Sequence, residues 1–380
     1  MKFLHLADLH LGKRVNGFSM LEDQAYILRQ ILTILDDERP DGVLIAGDVY
    51  DKPVPPTEAV ELLDAFLTGL CARGVPVLLI SGNHDSPERL AFGGRVMDSC
   101  GVHIAPVYGG AVAPVVLHDK FGPVSVWLLP FLKPALFKNS MPEEAAAGED
   151  AIIKKLVENT DIDKNERNII LAHQFFVSGH KEPELCESEQ TPAIVGGLDA
   201  VDVSAFDDFE YAALGHIHGG QFVGCEKNRY SGTPIKFSVS ERNHNKNIVM
   251  VDMEEKNKEI EITKLPLTQI RDIKKLTGYF DDIIASADEE LKNDYVSITL
   301  RDEEIIPDVK EKLGAYFDYI LEVVVDNSET RKIMLEDVGE LKEMSPYDAF
   351  DTFFEQLTDR KMNDAESELF REILSEVGEE

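Results

Sequence analysis

Short apolar runs alternate with amphipathic stretches along the first hundred residues. The runs at 2–7, 42–47 and 75–80 have the length and the polar boundaries of buried strands. Between them, residues 21–35 and 57–73 repeat apolar side chains at helical spacing. Strand, helix and strand at this spacing are typical of right-handed crossovers, so the sequence predicts a parallel sheet.

Strands predominate over helices from there to about residue 265. The further predicted strands are 123–130, 167–172, 209–214 and 247–253, and a hairpin is predicted at 221–230. So many strands after a parallel unit favour two sheets that pack face to face with helices outside. The sequence therefore predicts an α/β domain over residues 1–265.

A change of composition near residue 265 marks a second unit, predicted to cover residues 266–335. Its predicted elements are a helix at 279–287, a strand at 294–300, a helix at 308–317 and a strand at 319–325. Its sequence contains no phosphate-binding loop and no cluster of metal-binding residue types. This small α/β accessory domain either guides a substrate or is a structural appendage.

The last segment, residues 340–380, is predicted to be a helical tail. Ser345 and Pro346 are typical of one helix start, and Asn363 with Glu366 is typical of a second. Apolar side chains recur at helical spacing in both helices, namely Tyr347, Phe350, Phe353, Phe354 and Leu357, then Leu369, Phe370, Ile373, Leu374 and Val377. Such faces are buried either against the chain's own domain or in a groove of a partner.

Charge and cysteine content make some classes of protein function less compatible with this sequence. The net charge is −33, from 38 basic against 71 acidic residues, which argues against binding a polyanion through overall charge. An acidic enzyme can still cleave a polyanion if metal ions supply positive charge locally. The cysteines are scattered without a C-x-x-C pair, and no apolar run is long enough to span a bilayer. We therefore expect a cytoplasmic protein.

Clusters of polar side chains follow five of the predicted strands. They are Asp8-Leu9-His10, Gly47-Asp48 with Asp51, Gly82-Asn83-His84-Asp85, Ala172-His173 and Gly215-His216-Ile217-His218. The carboxyl ends of strands are where ligands bind in open α/β sheets, so we expect the clusters to meet at one edge of one sheet. A lone D-x-H or G-D is a weak signal, G-N-H-D and H-x-H are moderate signals, and all five in order predict a dinuclear metal site.

The predicted metal ligands are all Asp, His or Asn, namely Asp8, His10, Asp48, Asn83, His173, His216 and His218. Oxygen and nitrogen ligands without sulfur suit manganese, zinc, iron or magnesium. Asp48 is the predicted bridge between two ions. His84 adjoins a ligand, and we predict that it stabilises the transition state or protonates the leaving oxygen. Asp85 is predicted to orient His84 through the other ring nitrogen, or else to cap the next helix.

The ordered strings DLH, GDVYD, GNHD, AHQ and GHIH resemble the motifs of the calcineurin-like metallophosphoesterases. Longer strings, among them HLADLHLGK, ISGNHDSPERL and YSGTPIKFSVSE, are similar to those of bacterial DNA nuclease subunits of this family. The resemblance is strong to about residue 260 and weaker beyond it. It implies a four-layer sandwich, in which two packed mixed sheets are flanked by helices.

The resemblance also implies how the ligands divide between two ions. One ion would be held by Asp8, His10, Asp48 and His218, and the other by Asp48, Asn83, His173 and His216. Manganese is the implied ion. Archaeal relatives carry a histidine three residues after the bridging aspartate, implicated in handling the substrate phosphate. This chain has Asp51 there, followed by Lys52, which is a departure from the pattern.

The implied partners are DNA and an ATPase whose coiled-coil base would bind the tail. The implied activities of the pair are ATP-dependent double-strand exonuclease and single-strand and hairpin endonuclease, in DNA recombination, replication and repair. A homodimer of catalytic domains within a heterotetramer is implied, without a membrane. Candidate phosphate contacts near the clusters are Lys13, Arg14, Lys52 and Arg89, although a single basic residue is more often a solvated surface charge.

Two other functions remain open on the sequence. The five clusters alone also suit a metallophosphoesterase that acts on small nucleotides or other phosphoesters. A non-catalytic scaffold for an ATPase is disfavoured, because the ligand set is complete and a dead site typically lacks one or two ligands.

Overall fold

The computed structural model describes residues 1–189 and 200–328, together with single residues between 347 and 370. The strands in this part of the chain are β1 (Lys2–Leu6), β2 (Arg14–Val15), β3 (Phe18–Ser19), β4 (Gly42–Ala46), β5 (Val77–Ile80), β6 (Val102–Ala105), β7 (Pro114–Asp119), β8 (Gly122–Leu129), β9 (Arg167–His173), β10 (Phe175–Val177), β11 (Ala200–Asp202), β12 (Tyr211–Gly215), β13 (Gln221–Val223), β14 (Cys225–Tyr230), β15 (Asn247–Asp252), β16 (Glu261–Pro266), β17 (Ile273–Gly278), β18 (Tyr295–Leu300) and β19 (Tyr319–Val325).

The α-helices among the described residues are mostly short, and only the first two exceed ten residues. They are α1 (Leu21–Glu38), α2 (Thr57–Ala72), α3 (Pro87–Leu90), α4 (Gly94–Asp98), α5 (Pro142–Ala147), α6 (Glu149–Glu158), α7 (Phe280–Ala285), α8 (Glu289–Asn293) and α9 (Val309–Leu313). Single 3-10 turns occupy Pro134–Phe137, Val203–Phe206 and Val239–Asn243. Across the described ranges, no helix has the length and apolar character to cross a membrane.

Two six-stranded mixed sheets carry the first part of the chain. The first has the order β16-β15-β1-β4-β5-β6, with β1, β4, β5 and β6 parallel and the other two strands antiparallel. The second has the order β13-β14-β12-β9-β8-β7, with a parallel centre and antiparallel edges. The predicted crossovers from β1 through α1 to β4, and from β4 through α2 to β5, are confirmed.

Residues along the central strands alternate between two cores. In β4, Leu44 belongs to a core shared by the two sheets, while Val43 and Ile45 belong to the core that α1 and α2 cover. In β9, Ile169 belongs to the shared core and Ile170 to a core that includes α6. This alternation follows from the two-residue period of a strand. The layers are therefore helix, sheet, sheet and helix, which confirms the predicted α/β sandwich.

A separate three-stranded sheet follows, with the order β17-β18-β19. The helices and strands predicted at 279–287, 294–300 and 319–325 correspond to α7, β18 and β19. The helix predicted at 308–317 is shorter, because α9 ends at Leu313 with Gly314 at its C-cap, and glycine disfavours helix continuation.

The described chain divides into two compact units. One comprises Met1–Lys275, Glu289–Ser297 and Phe317–Leu321, and the other comprises Leu276–Asp288, Ile298–Tyr316 and the described residues from Glu322 onwards. The domain limits 1–265, 266–335 and 340–380 stay predictions.

Only single residues of the tail are described. Glu366 N–H donates to Asn363 Oδ1 at 3.0 Å, and Asn363 N–H donates to Glu366 Oε2 at 2.9 Å. This reciprocal pair is a capping box, so the predicted start of the second tail helix is confirmed. Phe350 stacks on Phe370 with ring centroids 3.8 Å apart. Several predicted tail positions lie outside the described residues, namely Ser345, Pro346, Phe353, Leu357, Ile373, Leu374 and Val377.

Candidate metal centre

The predicted ligand residues stand at the carboxyl ends of strands from both six-stranded sheets. Asp8, Asp48 and Asn83 come after β1, β4 and β5 of the first sheet. His173 ends β9 of the second sheet, and the His216 cluster follows β12. The expectation that all five clusters meet at one edge of one sheet is therefore wrong. They meet where two sheets adjoin, and His173 Nδ1–H donates across to the carbonyl oxygen of Ala46 at 2.8 Å.

Four of the predicted ligand residues have a positive backbone φ, a conformation that residues other than glycine rarely adopt. The angles are 54° at Asp8, 43° at His10, 48° at Asp48 and 109° at His216. Such conformations cost on the order of 1–3 kcal/mol each, and they persist where surrounding contacts enforce them. Two such contacts tie the loops together: Asp8 N–H donates to Gly47 O at 3.1 Å, and His10 N–H to Asp48 O at 2.9 Å.

Glycines beside the ligands leave room that a larger residue would fill. A β-carbon on Gly82 would overlap the Asp48 carboxylate and the Asp48 backbone nitrogen. A β-carbon on Gly215 would overlap the carbonyl oxygen of Ala46. Both glycines therefore permit a close approach of chain segments that places the ligand side chains together.

One group of ligand atoms forms around His10. Its Nε2 lies 3.1 Å from His218 Nε2 and 3.7 Å from Asp48 Oδ2. A second group forms around Asn83, whose Oδ1 lies 3.0 Å from both His173 Nε2 and His216 Nδ1. Asp48 Oδ2 also lies 3.4 Å from His173 Nε2, so this carboxylate borders both groups.

Asp8 completes the set of seven predicted ligands that the structure brings together. Its Oδ1 lies 3.9 Å from His173 Nδ1 and accepts a hydrogen bond from His216 N–H at 3.0 Å. Ligand atoms of Asp8, Asp48 and His173 all lie within 4.8 Å of one another, which is compatible with a shared cation.

Burial dominates the electrostatics of the centre. It raises the pKa of the Asp8 carboxyl well above its usual range, and the neighbouring Asp48 carboxylate adds to this increase. Burial also lowers the pKa of His10 and His218 well below their usual range, so both are neutral near pH 7. Burial opposes ionisation of His173 as well, but the charges of Asp48 and Asp8 outweigh it and raise the His173 pKa to about 9.

These residues fit divalent cations. The Nε2 atoms of His10 and His218 face each other at hydrogen-bonding distance, and His10 Nδ1 is buried without a hydrogen-bond partner. Two carboxylates, Asp8 and Asp48, are buried beside them, and buried carboxylates require nearby positive charge. Neutral histidines and ionised carboxylates are the forms that bind metals, so a bound cation would have to release the protons that the raised pKa values of Asp8 and His173 favour in its absence. The donor set of oxygen and nitrogen matches a hard or borderline divalent ion.

His84 borders the centre but takes different partners from those predicted. Its Nδ1 lies 2.9 Å from the backbone carbonyl oxygen of Asp51, which can only accept, so Nδ1 carries a proton. Its backbone N–H donates to Asp48 Oδ1 at 2.9 Å. The other ring nitrogen, Nε2, is therefore the atom available to a substrate or a cation, and His84 has a ligand atom within 4.8 Å of those of His10 and Asp48.

Asp85 does not orient His84, and that prediction is wrong. Its carboxylate accepts backbone N–H groups from Val49 at 3.1 Å, Tyr50 at 2.9 Å and Gly82 at 2.9 Å. It does not cap helix α3 either, which has no side-chain cap. The buried carboxylate is hydrogen-bonded to these backbone amides and not to the adjacent imidazole of His84. Asp85 therefore links the loop after β4 to the turn after β5 through hydrogen bonds.

The candidate phosphate contacts differ in their surroundings. Lys13 Nζ donates to Asp51 Oδ1 at 2.8 Å, so this charge is paired beside the centre. Arg14 donates to the carbonyl oxygen of Gly17 within a tight hairpin. Lys52 and Arg89 are exposed.

The surroundings of the predicted ligand His218 include residues that the sequence did not single out, among them Ser188, Glu189 and, through Ser188, Glu241. Ser188 Oγ lies 2.7 Å from His218 Nδ1 and donates to Glu241 Oε1 at 2.9 Å, and Glu189 accepts the His218 backbone N–H. Ser188 and Glu189 stand in a loop without periodicity. Glu241 could have been noticed in the sequence, because it is the acidic residue that ends the string KFSVSE.

Comparison with known proteins agrees with this geometry. Residues 1–220 match the family model described as calcineurin-like phosphoesterase. The chain is 30% identical over 382 residues to a Staphylococcus epidermidis protein named as the SbcD subunit of the nuclease SbcCD, covering 99% of this chain and 98% of that protein. The chain belongs to the SbcD family of calcineurin-like phosphoesterases. It is accordingly an enzyme, a phosphodiester hydrolase that uses divalent metals.

Other similarities cover parts of this SbcD-family chain. Residues 269–358 match the model described as type 5 capsule protein repressor C-terminal domain. A dimetal phosphatase from Danio rerio is similar over 70% of this chain and 99% of its own, with 13% identity and a TM-score of 0.40. A phosphoesterase from E. coli is similar over 71% of this chain and 100% of its own, with 11% identity and a TM-score of 0.28.

The close approach at Gly82 generates a test of the SbcD-family centre. Gly82→Ala should weaken Mn²⁺ binding roughly tenfold or more, because the new β-carbon forces Asp48 to move. Bound Mn²⁺ is measured by mass spectrometry after gel filtration at several Mn²⁺ concentrations. The control is Gly94→Ala, where a β-carbon meets no atom within 4 Å. Unchanged Mn²⁺ content in Gly82→Ala would contradict the geometry.

Proposed function

We propose that this chain is the metal-dependent DNA nuclease subunit of an SbcC–SbcD complex. With SbcC it would act as an ATP-dependent double-strand exonuclease and a single-strand and hairpin endonuclease in DNA recombination, replication and repair. The observation that carries the proposal is that short contacts join the seven predicted ligands, in a chain that is similar to an SbcD protein along nearly its whole length. The unpaired cysteines fit a role in the cytoplasm.

The proposed cofactors are two divalent ions, most consistent with manganese. Asp8, His10, Asp48 and His218 would hold one ion, and Asp48, Asn83, His173 and His216 the other. Asp48 supports this division, because its carboxylate borders both groups of ligand atoms. Bound there, the two ions would neutralise charge on the phosphodiester and lower the pKa of a water that attacks phosphorus.

The protein's own catalytic group in this proposal is His84. The Asp51 carbonyl oxygen accepts from Nδ1–H. When the ring also carries a proton on Nε2, that N–H would donate to the phosphate and pass its proton to the leaving oxygen. Asp85 would act only through the backbone, by holding the loops that carry Asp48 and Asn83 together. No protein nucleophile is required, since water attacks.

DNA binding would be local and shared with SbcC. The net charge of −33 opposes phosphate binding by the chain as a whole, and its long-range field repels DNA. Lys52 and Arg89 are exposed, and Lys13 is paired with Asp51. We therefore expect the isolated chain to bind duplex DNA weakly at physiological salt and SbcC to supply further contacts.

The tail, residues 340–380, is the proposed contact with the coiled-coil base of SbcC, and residues 266–335 are the proposed DNA-capping domain. In the described part of the tail, aromatic rings of Tyr347 and Phe350 approach Phe370, and Leu369 is exposed beside them. An apolar helical surface of this kind suits insertion into a groove of a partner.

A homodimer within a heterotetramer is the proposed assembly. An apolar groove of about 610 Å³ lies between α2 and the α3–α4 segment. At its rim Phe92 is 84% exposed and Val96 is 71% exposed. Clustered apolar exposure marks an interaction surface, and a two-fold dimer would place this patch against its copy.

The function is tested by incubating the purified chain with a labelled DNA hairpin, with and without Mn²⁺, SbcC and ATP. We expect cleavage that requires Mn²⁺, disappears with chelator and increases with SbcC and ATP. Small nucleotides and other phosphoesters are assayed in parallel. Hydrolysis of those compounds with an intact hairpin under every condition would favour the small-molecule phosphoesterase instead.

The role of His84 is tested by His84→Gln and His84→Ala. Both should lower kcat for hairpin cleavage by roughly 10²–10⁴-fold with Mn²⁺ content unchanged, because the group acts on the leaving oxygen and not as a ligand. His118→Ala, at an exposed position of β7, is the control and should retain full activity. Wild-type rates in the His84 variants, or loss of bound Mn²⁺, would contradict this role.

The dimer surface is tested by the double substitution Phe92→Asp and Val96→Asp. Burying two carboxylates without partners is unfavourable, so the variant should be monomeric by gel filtration with light scattering. Ile305→Asp, at a residue 81% exposed in the other unit, is the control and should stay dimeric. A double variant that remains a dimer would exclude this surface.

A further inference from the structure

His218 is held at each of its polar groups except Nε2. Its backbone N–H donates to Glu189, and its carbonyl oxygen accepts from Thr233 N–H at 3.1 Å and from Lys246 Nζ at 3.0 Å. Its Nδ1 lies 2.7 Å from Ser188 Oγ. Only Nε2, which faces His10, is directed into the metal centre.

Glu241 anchors these contacts from behind. It is 0% exposed, and its Oε1 accepts from Ser188 Oγ at 2.9 Å, Phe237 N–H at 3.1 Å and Ser238 Oγ at 3.0 Å. Its Oε2 forms a buried ion pair with Lys246 Nζ at 2.6 Å. A carboxylate with this many donors is fixed in place and ionised.

The direction of the hydrogen bonds follows from these contacts. An ionised carboxylate only accepts, so the Ser188 hydroxyl must donate its single proton to Glu241. Ser188 Oγ then presents only lone pairs to His218, and His218 Nδ1 must carry a proton. The neutral ring is therefore the Nδ1–H tautomer, with the lone pair on Nε2. That is the form in which Nε2 can bind a cation.

We propose that Ser188 and Glu241 are positioning residues that hold His218 as a metal ligand through the chain Glu241–Ser188–His218. The inference rests on the proposed metal centre and extends it to residues that contact no metal. Such outer partners fix the tautomer and the ring orientation of a ligand histidine.

His173 does not share this dependence on side chains. His173 receives the equivalent support from the backbone carbonyl oxygen of Ala46. A backbone partner persists through any substitution at Ala46, whereas Ser188 and Glu241 can be changed. Loss of Ser188 should therefore affect the ion at His218 selectively and leave the ion at His173 in place.

A competing role for Glu241 is as a ligand together with Cys186 and His244, which lie nearby. The residues around Glu241 disfavour metal binding there. Both Glu241 oxygens are already engaged, and a cation there would have to displace Lys246. Burial also raises the pKa of the Cys186 thiol to about 12, so the thiolate that a metal requires is disfavoured. Orientation of His218 is the role that the contacts support.

The test is titration of the metal-free full-length chain with Mn²⁺, followed by electron paramagnetic resonance. The wild type should bind two ions and give the spectrum of a coupled pair. Ser188→Ala should weaken the His218 ion by roughly 10–100-fold, so that a single uncoupled ion accumulates at intermediate Mn²⁺. Ser188→Thr, which keeps the hydroxyl, should restore the coupled spectrum. Ser99→Ala, an exposed serine away from the centre, is the control.

The outcomes separate the two proposals. A wild type that binds no pair of ions overturns the proposed centre and this inference together. A wild type with a coupled pair and a Ser188→Ala variant with the same affinities and spectrum overturns the positioning role alone. Equal weakening of both ions, or failure of Ser188→Thr to restore binding, also overturns it, since a general structural defect would produce either result.

Discussion

Two carboxylates that are almost completely removed from water impose the main constraint on this protein. Asp8 is 0% exposed and Asp48 is 2% exposed, and they lie together where the two sheets adjoin. An isolated buried carboxylate is strongly unfavourable, so each must receive donors or positive charge. His216 N–H donates to Asp8 and His84 N–H donates to Asp48. These two donors leave other carboxylate lone pairs unengaged, and those are the atoms that a cation would take.

The chain concentrates backbone strain at the same place. Asp8, His10, Asp48 and His216 all have positive φ, which bends each loop sharply after its strand. Sharp bends keep ligand side chains at the strand ends, where the rigid sheets fix their positions. The free-energy cost of these backbone conformations must be offset elsewhere, and the buried apolar cores on both sides of each sheet provide that stabilisation. A rigid frame with strained loop residues is typical of a preorganised site.

The strand ends and the ligand types could be predicted from sequence, because they depend on local pattern. The division of the five clusters between the two sheets could not, since the residues of β9 and β12 alternate in the same way whichever sheet they join. Asp85 shows a second limit: its neighbour in sequence is His84, but its partners are amides of Val49 and Tyr50. Ser188 shows a third, because a loop serine without periodicity acquires its role only through Glu241 and His218.

Asp51 stands where archaeal relatives carry a histidine, and the structure shows what the backbone and the side chain of Asp51 contact. His84 is held by the backbone carbonyl of residue 51, and that contact does not depend on the side chain. The Asp51 carboxylate instead pairs with Lys13 and lies 3.8 Å from His10 Nδ1. At that distance no hydrogen bond forms, so His10 Nδ1 stays without a hydrogen-bond partner and the carboxylate acts on it only through its charge. The contact that holds His84 Nδ1 can therefore form with Asp51 at this position, because a backbone carbonyl oxygen is present whichever side chain stands there.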